Sequence, residues 1–193
     1  MKKLILASKS IYRKELLESL GVSFETRVSK INEKKKRNES VKNLASRLSR
    51  EKAESVIINN NLQEVIIGAD QVASIEGEEL KKPNNEKIAT KQLIRCKNKN
   101  ILFYSAVTII DTKEMEYYSI NSITNTKMRN VSEKEIINYL RKTNPYDCSG
   151  GIKIEGVGVG LFKYIKSDDP SSILGLPLIW VSKTLKKLGI KIL

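Results

Sequence analysis

The chain has 193 residues, of which 40% are hydrophobic and 30% are charged, so we expect one folded domain over residues 1–193. It contains no histidine, which excludes Ser-His-Asp and Cys-His catalysis and HExxH zinc sites. Two cysteines are too few for a disulfide framework. No apolar stretch approaches the roughly 20 residues of a membrane helix, and the N-terminal apolar run is too short for a signal peptide. We therefore expect a cytoplasmic protein without a membrane partner.

The formal net charge of +13 favours an anionic partner such as nucleic acid, a membrane surface or phosphate groups. However, 27 of the 35 basic residues are lysines that are spread over most segments. No nucleic-acid-binding motif accompanies them, so we favour a solvated basic surface, also for the run Lys34–Arg37, and expect no nucleic-acid partner. A basic nucleic-acid-binding module is the alternative from another class of function.

The apolar periodicity of the first half predicts two strands and two helices. It indicates a buried strand over Lys3–Ala7, a helix over Ile11–Leu20, a second helix over Ser40–Asn59 and a buried strand over Glu64–Ala69. Asp70 follows the second strand directly, at the end of a strand where α/β sheets bind ligands.

The second half predicts the rest of an α/β domain. The pattern indicates a helix over Asn85–Cys96, strands over Ile101–Ile110 and Met115–Met128 with a hairpin at Asp111–Lys113, a capped helix from Ser132 to about Lys142, a strand-like segment over Gly156–Ile165, and a last helix between Pro177 and Gly189. Helices that alternate with strands, together with one antiparallel hairpin, predict a mixed central sheet.

The turn between the first strand and the first helix is a candidate phosphate site. A helix N-terminus presents free N–H groups and the positive end of the helix dipole. The hydroxyls of Ser8 and Ser10 and the guanidinium of Arg13 add further donors. The alternative is that Ser10 is a plain N-cap and Arg13 a surface residue.

Two other short motifs carry charged candidates. A carboxylate such as Asp70, followed by Gln71, is a usual metal ligand or general base, whereas the alternative is a solvated turn residue. Lys82, held before Pro83, could neutralise phosphate charge or lie in a surface turn. By pattern alone, Lys52 is an ordinary exposed residue in the middle of a helix.

The glycine-rich tract Ser149–Gly158 is the last candidate. It matches neither GxGxxG nor a Walker loop. Its glycines permit a ligand to approach the backbone closely, or they form a strained turn. Glu155, within this tract, could be a partly buried carboxylate that determines specificity.

Several of these segments occur in a specific order and spacing. They are LILASKSIYRKELLESLGVSFE, INE, REKAESV, IIGADQV, GEELKKP, GGIKIEG and SDDPSSILGLPL. This ordered set resembles the Maf family of nucleoside triphosphate pyrophosphatases. The resemblance implies an elongated mixed α/β sheet with helices on both sides and two lobes flanking a deep cleft, related to the inosine triphosphate pyrophosphatases. It also implies a divalent metal, Mg²⁺ or Mn²⁺, cleavage between the α- and β-phosphates, and a homodimer.

Carried over by motif, the resemblance assigns two groups of site residues. Phosphates are held by Ser8, Ser10, Arg13, Lys52 and Lys82, while Glu33 and Asp70 form the acidic pair that binds the metal and orients the attacking water. A triphosphate carries about four negative charges, so several cations are needed before water can approach phosphorus. Asn32 departs from the family pattern, which usually has Asp beside the position of Glu33.

Three further residues indicate the substrate. At Tyr12, Gln71 and Glu155 this chain is similar to the branch of the family that hydrolyses 7-methyl-GTP. Trp is typical of that branch at the position of Tyr12. The positive ring of 7-methylguanine suits an aromatic face, Glu155 could accept hydrogen bonds from the base, and Gln71 could bind a remaining polar edge. We expect 7-methyl-GTP as the substrate, in housecleaning of the nucleotide pool, with dTTP or UTP as the alternative. A degenerate member kept for protein contacts is a third hypothesis.

Overall fold

The computed structural model describes residues 2–58 and 63–192. Within these ranges seven strands form one sheet: Lys3–Leu6 (β1), Glu25–Thr26 (β2), Glu64–Ile75 (β3), Glu78–Leu80 (β4), Asn100–Asp111 (β5), Glu116–Met128 (β6) and Phe162–Lys166 (β7). Five α-helices flank the sheet in the same ranges: Ile11–Glu18 (α1), Val41–Glu54 (α2), Glu86–Cys96 (α3), Glu133–Thr143 (α4) and Leu178–Lys187 (α5). None of these helices is long and apolar enough to cross a bilayer.

The strands form a mixed sheet, which confirms the prediction from the alternating pattern. The sheet order is β2-β1-β3-β5-β6-β7, and β4 pairs with the end of β3. β1 is parallel to β2 and to β3, whereas β3 and β5, β5 and β6, and β6 and β7 pair in antiparallel fashion. The hairpin between β5 and β6 is also confirmed, because Asp111 pairs with Glu116 at its closed end.

Helices cover both faces of the sheet and divide one face into two lobes. Side chains at alternate positions of a strand point to opposite faces. On one face, Val65 and Ile67 of β3 pack with α1 and α5, while Ala73 and Ile75, farther along the same strand, pack with α3 and α4. On the other face, Ile66 packs against α2. Two separate apolar clusters thus share one long strand, and the gap between them lies midway along β3.

α2 lies very close to β3 because Gly68 has no side chain. A Cβ atom at Gly68 would clash with the carbonyl oxygen of Ser49 and would lie 2.6 Å from the nitrogen of Ala53. Gly68 and Asp70 are two positions apart in the strand and therefore face the same side of the sheet. The close packing at Gly68 consequently brings the C-terminal half of α2 over Asp70.

β3 is longer than its local pattern predicted. The strand predicted over Glu64–Ala69 continues to Ile75, because β5 pairs with it without interruption from Val65 to Ser74. The prediction that Asp70 stands at the C-terminal end of a strand was therefore wrong. Asp70 lies in the middle of the strand.

Predicted boundaries also change elsewhere. The helix predicted over Ser40–Asn59 ends at Glu54, and Asn59 lies outside the described residues. The capping box at Ser132 is confirmed, because its hydroxyl and the carboxylate of Glu135 bond each other's backbone nitrogens.

The strand predicted over Gly156–Ile165 is mostly wrong. A 3-10 helix occupies Gly156–Leu161, and β7 begins only at Phe162. Gly156 has a φ of 60°, a left-handed conformation that does not continue an extended strand. The short strands β2 and β4 were not predicted, since two or three residues carry too little periodicity.

Candidate active site

The edge of β3 is open along the stretch that contains Asp70. β1 pairs with β3 as far as Ile67, and β4 pairs with it from Ala73 onward. In the part of the chain that the structure describes, no strand covers the edge between these positions. Asp70 lies there, on the face of the sheet that α2 covers, with 7% of its surface exposed. A carboxylate in this place is neither a solvated turn residue nor sealed inside the sheet.

Lys52 of α2 joins two acidic residues. Its Nζ lies 2.6 Å from Oδ1 of Asp70 and 2.8 Å from Oε1 of Glu33. Lys52 is only 8% exposed, so the interpretation from the helical pattern, an exposed residue, was wrong. The reason is the packing at Gly68, which presses this part of α2 onto the sheet.

Glu33 lies in the segment before α2, with its side chain half exposed. Burial opposes its charged form, but the hydrogen bond from Lys52 and the positive charges of Lys52, Lys82 and Arg13 hold the pKa of Glu33 below its usual range. Charges shift a pKa in this way when they lie nearby. The charged residues that the resemblance assigned to the site therefore come together: Arg13, Glu33, Lys52, Asp70 and Lys82.

Arg47 ties the segment that carries Glu33 to α2. Its guanidinium donates to Oε1 of Glu39 at 2.6 Å, to Oε2 of Glu51 at 2.8 Å and to the carbonyl oxygen of Lys34 at 3.0 Å. The hydrogen bond from Arg47 lowers the pKa of Glu39 to about 2. This network fixes the segment beside the helix that bears Lys52.

The turn before α1 is organised by its two serines. Oγ of Ser10 accepts a hydrogen bond from the backbone nitrogen of Arg13 at 3.4 Å, and Oγ of Ser8 accepts one from the backbone nitrogen of Ser10 at 3.1 Å. Ser10 is thus the N-cap of α1. Each hydroxyl keeps its own proton, so the cap does not prevent either serine from donating to a phosphate oxygen.

The side chain of Arg13 reaches the same centre and is not an ordinary surface residue. Its Nε donates to the carbonyl oxygen of Gly175 at 3.2 Å. Burial lowers the pKa of Arg13, and the negative charges of Asp70 and Glu33 partly offset this effect. An arginine remains protonated in a protein, so it supplies a permanent positive charge here.

Tyr12 contacts the glycine-rich tract across the gap between the lobes. Nζ of Lys153 lies 5.2 Å from the centroid of the Tyr12 ring. The interaction with Tyr12, and to a lesser extent the negative charge of Glu155, raises the pKa of Lys153 against the opposing effect of burial. Glu155 is half-buried. The aromatic ring and the carboxylate predicted to bind a base therefore both lie near Lys153.

Gln71 points away from Asp70. Adjacent residues of a strand face opposite sides of the sheet, and Nε2 of Gln71 donates to Oγ of Ser105 at 2.9 Å and to the carbonyl oxygens of Ser172 at 3.1 Å and Ile173 at 2.9 Å. Its amide nitrogen is thus engaged by the protein itself.

Sequence reasoning did not find the contributions of Lys153 and of residues 172–175. The segment SDDPSSILGLPL contributed to the family resemblance, but no residue in it was given a role. Its carbonyl groups are what Gln71 and Arg13 bind, and a backbone acceptor leaves no signal in residue type.

Comparisons with known proteins identify the family. A family model described as Maf-like protein matches residues 3–188. The chain belongs to the Maf family. It is 38% identical over 190 residues to the 7-methyl-GTP pyrophosphatase of Pseudoalteromonas atlantica, covering 98% of this chain and 97% of that protein. It is 37% identical over 188 residues to the 7-methyl-GTP pyrophosphatase of Aromatoleum aromaticum, covering 97% and 96% of the two chains.

A solved structure shows a more distant likeness to this Maf chain. The Staphylococcus aureus Ham1 protein matches with a TM-score of 0.48 and 10% identity, over 67% of this chain and 73% of that chain. A likeness of this extent adds nothing to the family assignment.

Two carboxylates of the Maf chain fit a divalent ion that arrives with phosphate. Within the described ranges, no group of three or more acidic or cysteine side chains is placed to hold a metal by itself. Mg²⁺ is usually bound by one or two carboxylates together with water and substrate phosphates. Glu33 and Asp70, which share the ammonium of Lys52, match that donor set. Asn32, next to Glu33, supplies an amide and not a third carboxylate.

Proposed function

We propose that this Maf-family chain is a nucleoside triphosphate pyrophosphatase that hydrolyses 7-methyl-GTP to 7-methyl-GMP and pyrophosphate. The observation that carries the proposal is the bridge from Lys52 to both Asp70 and Glu33 at an open sheet edge, with Arg13 and Lys82 close by. The names of the relatives in Pseudoalteromonas atlantica and Aromatoleum aromaticum support the same activity.

The cations of the site suit a triphosphate. Such a substrate brings about four negative charges that repel an attacking nucleophile until they are neutralised. Arg13 of α1, Lys52 of α2 and Lys82 of the segment between β4 and α3 supply positive charge. Ser8 and Ser10 add hydroxyl donors at the N-terminus of α1. In this proposal all five hold phosphate oxygens.

Asp70 handles the attacking water. It accepts the hydrogen bond of Lys52 through Oδ1, and we assign Oδ2 to orient the water and take its proton. A bond then forms from the water oxygen to phosphorus while the bridging P–O bond between the α- and β-phosphates breaks, and pyrophosphate leaves. Since the chain has no histidine, a carboxylate is the natural base for this step.

Glu33 and Asp70 would hold the divalent ion, Mg²⁺ or Mn²⁺. When bound, the ion neutralises phosphate charge and polarises the scissile anhydride. Glu33 keeps its negative charge for this purpose, because the hydrogen bond and charge of Lys52, with Lys82 and Arg13, outweigh the effect of burial on its pKa.

Tyr12 and Glu155 bind the base. The Tyr12 ring already attracts a cation, the ammonium of Lys153, and the ring of 7-methylguanine is also positively charged. Glu155 accepts hydrogen bonds from the N1–H and 2-amino edge and offsets this charge. dTTP and UTP form the alternative substrate class, and their bases have neither the positive charge of 7-methylguanine nor its N1–H and 2-amino edge.

Pyrophosphate release from a panel of nucleotides tests the proposal. The purified chain is incubated with 7-methyl-GTP, GTP, dTTP and UTP in Mg²⁺ or Mn²⁺, with a chelator in the control. We expect the highest kcat/KM for 7-methyl-GTP and loss of release with the chelator. Release from none of the four would contradict the enzyme proposal, and a preference for dTTP or UTP would favour the alternative.

Other properties complete the proposal. We propose that residues 1–193 form a single domain, since one sheet runs through both lobes, and that the protein works in the cytoplasm without nucleic acid or a membrane as partner. Tight, salt-sensitive binding to duplex DNA without nucleotide hydrolysis would instead favour the nucleic-acid module. The homodimer implied by the resemblance stays a prediction that light scattering tests.

A further inference from the structure

We infer that Arg47 is a positioning residue for Glu33 and that it acts through the backbone of Lys34. The inference rests on the proposed function, in which Glu33 and Asp70 hold the divalent ion. It gives a task in the reaction to a side chain of α2 that the proposed function leaves out.

Glu33 lies in a connecting segment that has no regular structure of its own. Residues 27–40 join β2 to α2 and contain no helix or strand. The side chain of Glu33 is half exposed, and its carboxylate reaches Nζ of Lys52 at 2.8 Å. Such segments are more mobile than the helices and strands that they connect. The place of Glu33 at the site therefore depends on what holds the backbone beside it.

Lys34, the next residue, is held at both of its backbone groups. Its nitrogen donates to Oδ1 of Asn32 at 3.1 Å, which closes an Asx turn around Glu33. Its carbonyl oxygen accepts a hydrogen bond from Nη2 of Arg47 at 3.0 Å. These two bonds set the direction of the chain at Glu33, and with it the direction of the Glu33 side chain.

The guanidinium of Arg47 has a fixed orientation. Its Nε and Nη2 donate to the two carboxylate oxygens of Glu39 at 2.6 and 2.9 Å, and Nη1 donates to Oε2 of Glu51 at 2.8 Å. A planar guanidinium that binds both oxygens of one carboxylate is oriented by that pair. Only 15% of the Arg47 side chain is exposed. Nη2 therefore approaches the carbonyl oxygen of Lys34 from a fixed direction.

Arg47 also holds the segment indirectly. Oε2 of Glu39, which accepts from Nη2 of Arg47, also accepts from the backbone nitrogen of Lys36 at 2.9 Å. Arg47 thus reaches the chain at Lys34 directly and at Lys36 through Glu39. Removal of its donors releases both positions, and these are the first and third residues after Glu33.

The start of the same segment is fixed without Arg47. Oγ of Ser55, the C-cap of α2, donates to Oγ of Ser29 at 2.8 Å. This contact lies four residues before Glu33 and stays in place when the donors of Arg47 are removed. Loss of those donors should therefore displace Glu33 without detaching the segment from α2.

Positioning of Glu33 and general stabilisation of the fold have different consequences. Groups that orient a metal-holding carboxylate change the affinity for the metal, typically by 10-fold to 100-fold. A residue that only stabilises the fold changes Tm and leaves the metal requirement of the folded protein as it was. The concentration of Mn²⁺ that the protein needs therefore separates the two roles.

Arg47→Met tests the inference because methionine keeps an unbranched apolar side chain and removes all donors. We expect the Mn²⁺ concentration for half-maximal pyrophosphate release from 7-methyl-GTP to rise roughly tenfold, while kcat at saturating Mn²⁺ changes by less than about threefold. Arg47→Lys keeps the charge without the planar fork, so it should give an intermediate Mn²⁺ requirement. The double variant with Glu33→Gln should need no more Mn²⁺ than Glu33→Gln alone, since Arg47 acts through Glu33.

Amide hydrogen exchange, measured by NMR without metal or nucleotide, gives a readout that does not depend on activity. The amide protons of Lys34 and Lys36 should exchange roughly tenfold faster in Arg47→Met, because the segment then opens locally more often. The amide of Asn43, which donates to Oγ of Ser40 at the start of α2 at 3.1 Å, should exchange at the wild-type rate.

Arg50→Met is the matched control. Arg50 lies on the same helix, and its Nε forms an i,i+4 ion pair with Oε1 of Glu54 at 2.8 Å, within α2 itself. The substitution removes the same charge but no contact with Lys34. It should leave the Mn²⁺ requirement within about twofold of wild type, and the amide of Lys34 should exchange at the wild-type rate.

Four results would overturn the inference: an unchanged Mn²⁺ requirement in Arg47→Met, the same rise in Arg50→Met, additive effects of Arg47→Met and Glu33→Gln, or unchanged exchange at Lys34. If Arg47→Met does not fold, Arg47→Lys carries the same comparisons. If the wild-type protein releases pyrophosphate from no nucleotide, the proposed function fails instead. In that case the exchange rates still decide whether Arg47 holds the backbone beside Glu33.

Discussion

The ammonium of Lys52 lies 2.6 Å from Oδ1 of Asp70, and both residues are buried. The pair joins the last turn of α2 to the middle of β3. Lys2 and Asp111 form another close ion pair, at 2.5 Å, where the sheet is closed by the β5–β6 hairpin. The first pair differs because it lies at an uncovered edge of β3 and shares its cation with Glu33. The Lys52–Asp70 pair is therefore a candidate for catalysis because of its position, and not because the two residues form an ion pair.

Asp70→Asn should remove most turnover and keep the fold. The amide oxygen of asparagine can still accept from Lys52, but an amide cannot take a proton from water. We expect kcat to fall about a hundredfold to ten-thousandfold, measured by pyrophosphate release, with an unchanged circular dichroism spectrum. Asp111→Asn, which alters the ion pair with Lys2, is the control and should keep near-normal kcat. Near-normal turnover of Asp70→Asn would remove Asp70 from its proposed role.

Glu155→Gln should reduce activity towards 7-methyl-GTP more than towards UTP. Glutamine has the same shape but no negative charge to offset the methylated base. Because a hydrogen bond to a charged group is worth about 1.5 to 3 kcal/mol, the ratio of kcat/KM for the two substrates should fall roughly tenfold. Glu133→Gln, at the exposed start of α4, is the control. Equal losses for both nucleotides would show that Glu155 does not select the base.

Lys153→Met should lower KM for 7-methyl-GTP. The ammonium lies over the Tyr12 ring, so it must leave before a base can stack there, and it then repels a positively charged base. Removal of the charge should lower KM roughly threefold. Lys166→Met is a close match as a control, because Nζ of Lys166 lies 5.0 Å from the centroid of Tyr164 on β7. A higher KM in Lys153→Met would instead indicate that Lys153 binds the substrate.

Gly68→Ala should destabilise the protein and separate Lys52 from Asp70. The added Cβ would clash with the backbone of Ser49 and with Ala53, so α2 must move away from β3. We expect a loss of about 3 kcal/mol in the free energy of unfolding, measured in urea, and a fall in turnover under conditions where the variant is folded. Gly160→Ala, where nothing lies within 4 Å of the added atom, should change neither quantity.

Glu39→Gln should reduce stability at neutral pH but not at strongly acidic pH. The hydrogen bond from Arg47 lowers the pKa of Glu39 from 4.5 to about 2 in the folded protein. The stability that ionised Glu39 contributes is therefore fully present above about pH 4.5 and is lost as the pH falls towards 2. Thermal unfolding at pH 7 should give a lower Tm for Glu39→Gln than for wild type, and the difference should shrink by pH 2.5. A constant difference would contradict the pKa shift.

Local pattern predicted most elements of the fold but not their ends. The capping box at Ser132 predicted α4, and the polar turn at Asp111 predicted the β5–β6 hairpin. Both predictions succeeded because each signal consists of residues that are close together in the sequence. The extension of β3 as far as Ser74 depends on pairing with β5, whose partner residues are more than 25 positions away for every pair, while Ile75 pairs with Glu78 of β4. A short window around Asp70 does not contain the partners in β5.

The site residues likewise divide into those that local sequence could predict and those that depend on contacts between remote segments. Ser10 was recognisable as an N-cap because a cap is a local structure. Lys52 was not recognisable as buried, since its neighbours in sequence are those of an exposed helix, and only the ordered motifs of the Maf family pointed to it. The roles of Lys153 and of the carbonyl group of Gly175 had no sequence signal at all.

The sequence by itself determined the types of elements, the exclusion of histidine chemistry and the family, because composition, periodicity and ordered motifs are properties of the chain alone. The tertiary structure decided which side chains meet. Arg13, Lys52 and Asp70 come from α1, α2 and β3, and the distances between them are set by how closely these elements pack. Gly68 permits that packing, while the carbonyl of Gly175 orients Arg13. Such distances depend on contacts between remote segments, which the order of residues does not display.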